Sequence, residues 1–268
     1  MIVDTNVYLS RWPFRRVPGD DPASLVAKLR RNGITQAWAG SFEGMLFKDI
    51  AGVNIRLAND CRTHGPGLLV PFGSVNPKLP DWREDVRRCQ EEHRMPGIRL
   101  HPKYHGYNLA DPDLRDLLRL GNARGLIVQV ALCMEDVRTQ HPLMRVPPVD
   151  IAPLAAAIRR EPGLQMVLLN CTGQIELDEL KPVLNAGSVC MDISMVEGVG
   201  GIGRLLEQVP PEKVVFGSYY PFFYLESAML KMQESALTEA QKTALFEGNA
   251  RRLLPAPKDA RAPEASSR

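Results

Sequence analysis

Residues 213–222 read Lys213-Val214-Val215-Phe216-Gly217-Ser218-Tyr219-Tyr220-Pro221-Phe222. A short β-branched and aromatic run, Val214 to Phe216, stops at Gly-Ser and two tyrosines, and Pro221 then opens a helical stretch. Brief continuous apolar runs that end in a polar turn are the pattern of strands buried on both faces, as in parallel sheets. Parallel neighbours need crossover connections, so this reading predicts helices between strands along the whole chain.

Seven further runs of the same kind precede it, at 2–7, 34–41, 68–75, 97–100, 126–132, 165–169 and 189–193. Helical patterns fill the gaps at 22–31, 48–64, 80–93, 111–124, 149–160, 177–185 and 202–208, then continue at 222–233 and 239–254. Asp111-Pro112 is a cap followed by a first-turn proline. Eight alternations predict an α/β fold, a (β/α)8 TIM barrel over residues 1–254. An open doubly wound sheet would want a Gly-rich phosphate turn after its first strand, and Asp4-Thr5-Asn6-Val7-Tyr8 is not one. The Pro-, Ala- and Ser-rich tail, 255–268, is predicted disordered.

At 268 residues the chain matches the roughly 250 typical of one such barrel. Its net charge of +2 is spread without a basic block, which argues against nucleic acid as a partner. No apolar stretch approaches the ~20 residues that span a membrane, and no signal-peptide pattern precedes the first strand. Cys61, Cys89, Cys133, Cys171 and Cys190 show no CxxC spacing and read as free thiols, so a cytoplasmic location is expected. A homodimer is allowed.

The 213–222 phrase resembles the last barrel strand of the amidohydrolase superfamily, in its amidohydrolase-related branch of decarboxylases and lactonases, where Phe-Gly-Ser-Asp-Tyr-Pro is usual. The closing Gly248-Asn249-Ala250-Arg251-Arg252-Leu253 is similar to that family's Gly-Asn-Ala-x-x-Leu, and Leu100-His101-Pro102 with His105-Gly106-Tyr107 to its strand-four loop. The resemblance implies a divalent metal. Its ligands would be two histidines of an Asp-x-His-x-His phrase on strand one, a histidine on strand five and an Asp on strand eight, with a catalytic histidine on strand six. Here those positions carry Asn6, Tyr8, Ala131, Tyr219 and Asn170, so the expectation is a divergent member with no metal and no other cofactor.

Barrel active sites lie at the C-terminal strand ends, and a polar set remains there. His101 and His141 are candidate acid–base groups, since imidazole titrates near neutral pH; a structural histidine bonded to a carbonyl is the other reading of His101. Tyr219, Asn6, Tyr8 and Asn170 are candidate donors, or side chains that repack the space of a missing metal. Lys103 and Arg138 are candidate anion clamps, with His105 and Glu135 as further substrate contacts. The charged loop from Glu135 to Arg145 is either a substrate clamp or a salt-bridged structural loop. Glu43 and Glu197 follow strands two and seven as spare acids. Trp12, Phe14, Arg15 and Arg16 form an aromatic-basic loop, either a lid or a subunit contact. A metal-independent hydrolase or lactonase acting on a small carboxylated substrate follows; the alternative is an inactive barrel that binds a metabolite or protein partner.

Overall fold

Eight parallel strands follow one another in chain order around a single sheet: β1 (Val3–Leu9), β2 (Gln36–Ser41), β3 (Leu69–Ser74), β4 (Gly97–Leu100), β5 (Ile127–Ala131), β6 (Gln165–Leu169), β7 (Ser188–Asp192) and β8 (Val214–Val215). This computed structural model describes residues 1–136 and 138–254; the tail expectation for 255–268 lies outside them. The helices between are α1 (Pro22–Arg31), α2 (Ile50–His64), α3 (Trp82–Glu91), α4 (Pro112–Ala123), α5 (Leu154–Arg159), α6 (Leu177–Leu184), α7 (Gly201–Leu206) and α8 (Leu225–Glu234). Two short helices close the described chain, α9 (Glu239–Thr243) and α10 (Asn249–Leu253). The expected TIM barrel is therefore present. None of these helices is long and apolar enough to cross a membrane.

The strand β8 is only two residues long, so closure falls to the turn that follows it. Thr5 N–H donates to Phe216 O at 2.9 Å, Tyr219 N–H to Asn6 O at 2.9 Å and Tyr8 N–H to Tyr220 O at 3.0 Å. These bonds explain why α8 starts at Leu225 rather than at 222: the tyrosines are spent on joining β8 to β1. The pairing of β1 with β2 shifts between Asp4 and Val7, a bulge that alters which way Thr5 and Asn6 face.

Local chemistry fixes several helix starts. Asp21 accepts from Ser24 N and Asp111 from Asp113 N, each with proline in the first turn. The helix expected from 149 begins only at Leu154, because Pro153 lacks the N–H that a helix starting at 149 would bond to the Val149 carbonyl. The single closing helix expected over 239–254 is broken by a π turn at Ala244–Gly248, where the Leu245 carbonyl accepts from Phe216 N at 2.9 Å. Buried Asn249 donates from Nδ2 to the Pro211 and Val214 carbonyls, both at 2.7 Å, and so ties α10 to the start of β8.

Two apolar clusters result. One lies between strands and helices and includes Val7, Ile98, Val128, Met166 and Val214. The other fills the barrel itself, with Val3, Trp38, Phe72, Ile127, Val167 and Val215 packed together with Ala250 and Leu253.

Candidate functional site

Moving along the barrel axis toward the C-terminal strand ends, the first polar group is Arg99 of β4. Its guanidinium is fully buried, and among the described residues no carboxylate approaches within ion-pair range. Instead Nη1 donates to Val7 O at 2.9 Å, Nη2 to Trp38 O at 3.0 Å, and Nε to Gln129 Oε1 at 2.7 Å. The Tyr8 ring lies 4.4 Å from its central carbon. A buried cation without an anion is tolerable only when carbonyl dipoles and a π face replace its water, as they do here.

Next to it is a network built on Asp192, the last residue of β7. Its Oδ2 accepts from Asn6 Nδ2 at 2.7 Å, and its Oδ1 from Asn170 N and Ser194 Oγ, both at 3.0 Å. Asn6 Nδ2 also reaches Asn170 Oδ1 at 2.7 Å. Burial pushes the Asp192 carboxyl up to about 6 against the pull of these donors. Asp4 is treated alike: it accepts from the Ser218 amide and hydroxyl, and burial raises it to about 6. Gly217 is required between them, since a Cβ there would fall 2.8 Å from Asp192 Cβ and 3.1 Å from Asn6 Cβ.

Above this network the axis is sealed by aromatic rings. Tyr8 stacks on Phe42 at 4.8 Å and meets Tyr219 edge-on at 5.8 Å; Tyr219 stacks on Phe222 at 5.2 Å. Trp12 packs edge-on against Phe42 and Phe222. Tyr219 donates to Met134 O at 2.5 Å and holds a left-handed φ of 60°, an unusual conformation for an aromatic residue. Asn170 shares that region with φ 56°.

The candidate residues divide between this sealed axis and the loops over it. Asn6, Tyr8, Asn170 and Tyr219 come together on the axis in a packed arrangement: Asn6 and Asn170 bond to each other, Tyr8 Oη meets His101, Tyr219 Oη donates to Met134 O, and Asn6 Oδ1 is buried without a partner among the described residues. His101 joins them through Nε2, 3.0 Å from Tyr8 Oη; burial, helped by neighbouring His105 and Arg99, holds it neutral, well below the ordinary imidazole range. His105 donates from Nε2 to Gly44 O at 2.8 Å and is pushed down to about 4. His141 lies apart, its ring stacked on Phe14 at 5.1 Å. Arg138 is exposed and grips Asp136 rather than facing inward. Lys103 lines a small crevice with Tyr104 and Gln140. Glu43 pairs with Arg56 at 2.6 Å.

The open space lies to one side. A cleft of about 740 Å³ runs over the ends of β5 to β8, between their loops and α8. Glu135 and Arg15 line it, with Met134, Glu197, Phe222 and Lys231 among the others. Glu135 is buried, and Arg15 Nε stands 3.5 Å from its Oε1 while its guanidinium covers the Phe222 ring at 4.6 Å. Lys231 Nζ donates to Ser194 O at 2.6 Å and Ile193 O at 3.4 Å. Lys231, Asp192 and Arg99 were not among the sequence candidates. The last two carried a signal: a lone charge inside an apolar strand, in Cys190-Met-Asp192 and Gly97-Ile-Arg99-Leu. Lys231 carried none, because one lysine on an amphipathic helix looks like a solvated face.

Structures of similar shape share very little sequence. The chain superposes on 5-carboxyvanillate decarboxylase from Sphingomonas paucimobilis with a TM-score of 0.73 at 15% identity, over 94% of this chain and 98% of that one. For 2,6-dihydroxybenzoate decarboxylase from Rhizobium the figures are 0.70, 13%, 94% and 98%. For a dihydroxybenzoic acid decarboxylase from Polaromonas, determined with bound manganese and 2-nitroresorcinol, they are 0.69, 10%, 94% and 96%. No curated protein matches the chain.

The divalent metal implied by the family resemblance, and bound as manganese in the Polaromonas structure, is tested by the donors at the strand ends. Asn6 Nδ2 donates to Asn170 Oδ1 and Asp192, Asn170 Nδ2 donates to Cys133 O, and Tyr8 and Tyr219 are neutral phenols in a packed aromatic layer; Asn6 Oδ1, buried without a partner among the described residues, is a single neutral amide oxygen. Among the described residues no group of three His, Cys, Asp or Glu side chains is placed to hold an ion. The residues present do not fit the metal. Fold and sequence pattern nevertheless agree on ancestry. The model of the Amidohydrolase family matches residues 7–256, and the chain belongs to that family.

Proposed function

We propose that this amidohydrolase-family barrel is a metal-independent hydrolase of small carboxylated molecules, of esterase or lactonase type, that works in the cleft over β5 to β8. The observation that carries this reading is the contrast in access. The strand-end positions are filled by Tyr8, Phe42 and Tyr219, whereas the cleft beside them holds about 740 Å³ bordered by cations, carboxylates and aromatic rings. A pocket of that size suits a small ligand, and a few converging polar groups within an apolar lining are usual in such sites. Aromatic carboxylates are named for the decarboxylases of similar shape, which supports a carboxylated substrate here.

Two measurements test it. Protein purified without chelators should contain far less than one Zn, Mn or Fe per chain by elemental analysis. Its turnover of carboxylated esters or lactones should survive EDTA and dipicolinate. One metal per chain, or activity abolished by chelators and restored by Mn²⁺ or Zn²⁺, would overturn metal independence.

A second reading, a barrel that binds a metabolite without turning it over, is favoured by the full burial of Tyr219 within the aromatic layer and of His101 against it. It predicts saturable binding in the cleft with no product after prolonged incubation.

A further inference from the structure

The hydrolase reading leaves open which group activates water, since the histidines do not reach the cleft. We infer that Glu135 is the general base of the cleft, with Arg15 as its positioning residue and Lys231 as the anchor for the carboxylate of an ester or lactone substrate. This inference rests on the reading above.

Geometry comes first. Glu135 lies four residues past the end of β5, is only 5% exposed, and yet borders the cleft. It also borders the small crevice lined by Lys103 and Tyr104, so it lies between the two spaces, with Arg15 of the cleft lining at its carboxylate. Arg15 is fixed by its seat on Phe222 and stands 3.5 Å from Glu135, longer than a charge-assisted hydrogen bond. The carboxylate is oriented by this charge and by the neighbouring Trp12 indole, and with about four lone-pair sites it has room for a water as well. Lys231 makes no ion pair among the described residues; its ammonium rests on two carbonyls at the end of β7 and retains a third N–H.

Electrostatics agree. Burial raises the Glu135 carboxyl above the usual range, with Arg15 opposing. A base poised nearer neutrality removes a proton from water more effectively. The other titratable groups around it are Tyr104 from the β4 loop, Tyr219 from the turn after β8, and Cys133 and Asp136 on its own loop. Burial raises the two phenols and the thiol, and Asp136 is held by Arg138, so Arg15 is the charge that Glu135 meets at pH 7.

The step balances without a co-reactant. Glu135 takes a proton from water as the water oxygen bonds to the substrate carbonyl carbon. The tetrahedral adduct then breaks its C–O bond to the leaving alkoxide, and the proton on Glu135 passes to that oxygen. The products are a carboxylic acid and an alcohol, or one hydroxy acid from a lactone.

The test uses the full chain with mono(4-nitrophenyl) glutarate and 5-oxotetrahydrofuran-2-carboxylate as probes. Calorimetric titration with glutarate provides an independent reading of the binding site. For Glu135→Gln, kcat should fall by roughly 10²- to 10⁴-fold while glutarate affinity stays within about threefold. Glu135→Asp should keep part of the rate and move the acid limb of the kcat profile. Arg15→Met should move that limb to higher pH, as loss of a neighbouring cation requires. If Glu135→Gln does not fold, the limb shifts in Glu135→Asp and Arg15→Met decide the question. A wild-type enzyme that turns over either probe, with rate and acid limb unmoved by these substitutions, would overturn the role of Glu135 and leave the hydrolase reading standing. Failure of the wild type to turn over either probe would overturn both.

Discussion

The barrel axis and the cleft beside it hold similar residue types in opposite states. On the axis, most polar groups already have protein partners: Arg99 has carbonyls, Asp192 has Asn6, Asn170 and Ser194, and Tyr219 has Met134 O, while Asn6 Oδ1 and His101 Nδ1 are buried without a partner among the described residues. In the cleft, Arg15 and Glu135 stand apart at 3.5 Å and Lys231 rests on carbonyls alone. A satisfied polar network stiffens a core, and a partly committed one is available to a ligand. The difference separates the part of the molecule that maintains the barrel from the part suited to chemistry.

The largest effect that can break this contrast is in the aromatic layer. Tyr219→Ala should destabilise the protein by about 3–5 kcal/mol in urea denaturation, the range for truncating a large buried side chain. Tyr224→Ala, beside the cleft and 72% exposed, should change stability by less than about 0.5 kcal/mol. Equal losses would erase the distinction.

A smaller effect tests whether the axis carries buried carboxylates. Asp192 has a folded-state value of about 6 against an unfolded value near 3.8. A raised carboxyl favours the fold at low pH, and that advantage disappears as pH rises through about 6. Between pH 4 and pH 8 the wild type should therefore lose about 2 kcal/mol relative to Asp192→Asn. Taking the difference cancels the opposite trend of His101 and His105, whose lowered values destabilise the fold as pH falls. A flat difference would mean that Asp192 is solvated. The smallest effect is expected at Arg138→Ala, which breaks an exposed pair with Asp136 and should leave the urea midpoint unmoved.

The fold was legible because parallel barrel strands announce themselves as short apolar runs, and eight of them alternate with helical patterns. Boundaries failed where a tertiary bond intervened, as when the Leu245 carbonyl turned to Phe216 and widened the last helix. The site was legible only in part. Asn6, Tyr8, Asn170 and Tyr219 do converge, because the strand ends of a barrel must. Sequence could not show that they are sealed beneath or within an aromatic layer, since that depends on the bulge in β1 and on rings from three loops. Nor could spacing place His141, which sits on Phe14 rather than beside His101. Glu135 and Arg15 are 120 positions apart, and only the closing of the barrel brings their loops together.

The left-handed turn at Tyr219 has a consequence for engineering. Its side chain differs from the aspartate of the family phrase, yet the backbone holds a torsion that an aromatic residue adopts only under constraint from its neighbours. Asn6 and Tyr8 lie on the strand bonded to that turn, within the same closed seam. A designer who wishes to install an ion in this barrel inherits a scaffold rather than a blank surface. The work lies in exchanging side chains and clearing rings, with the main-chain path already laid.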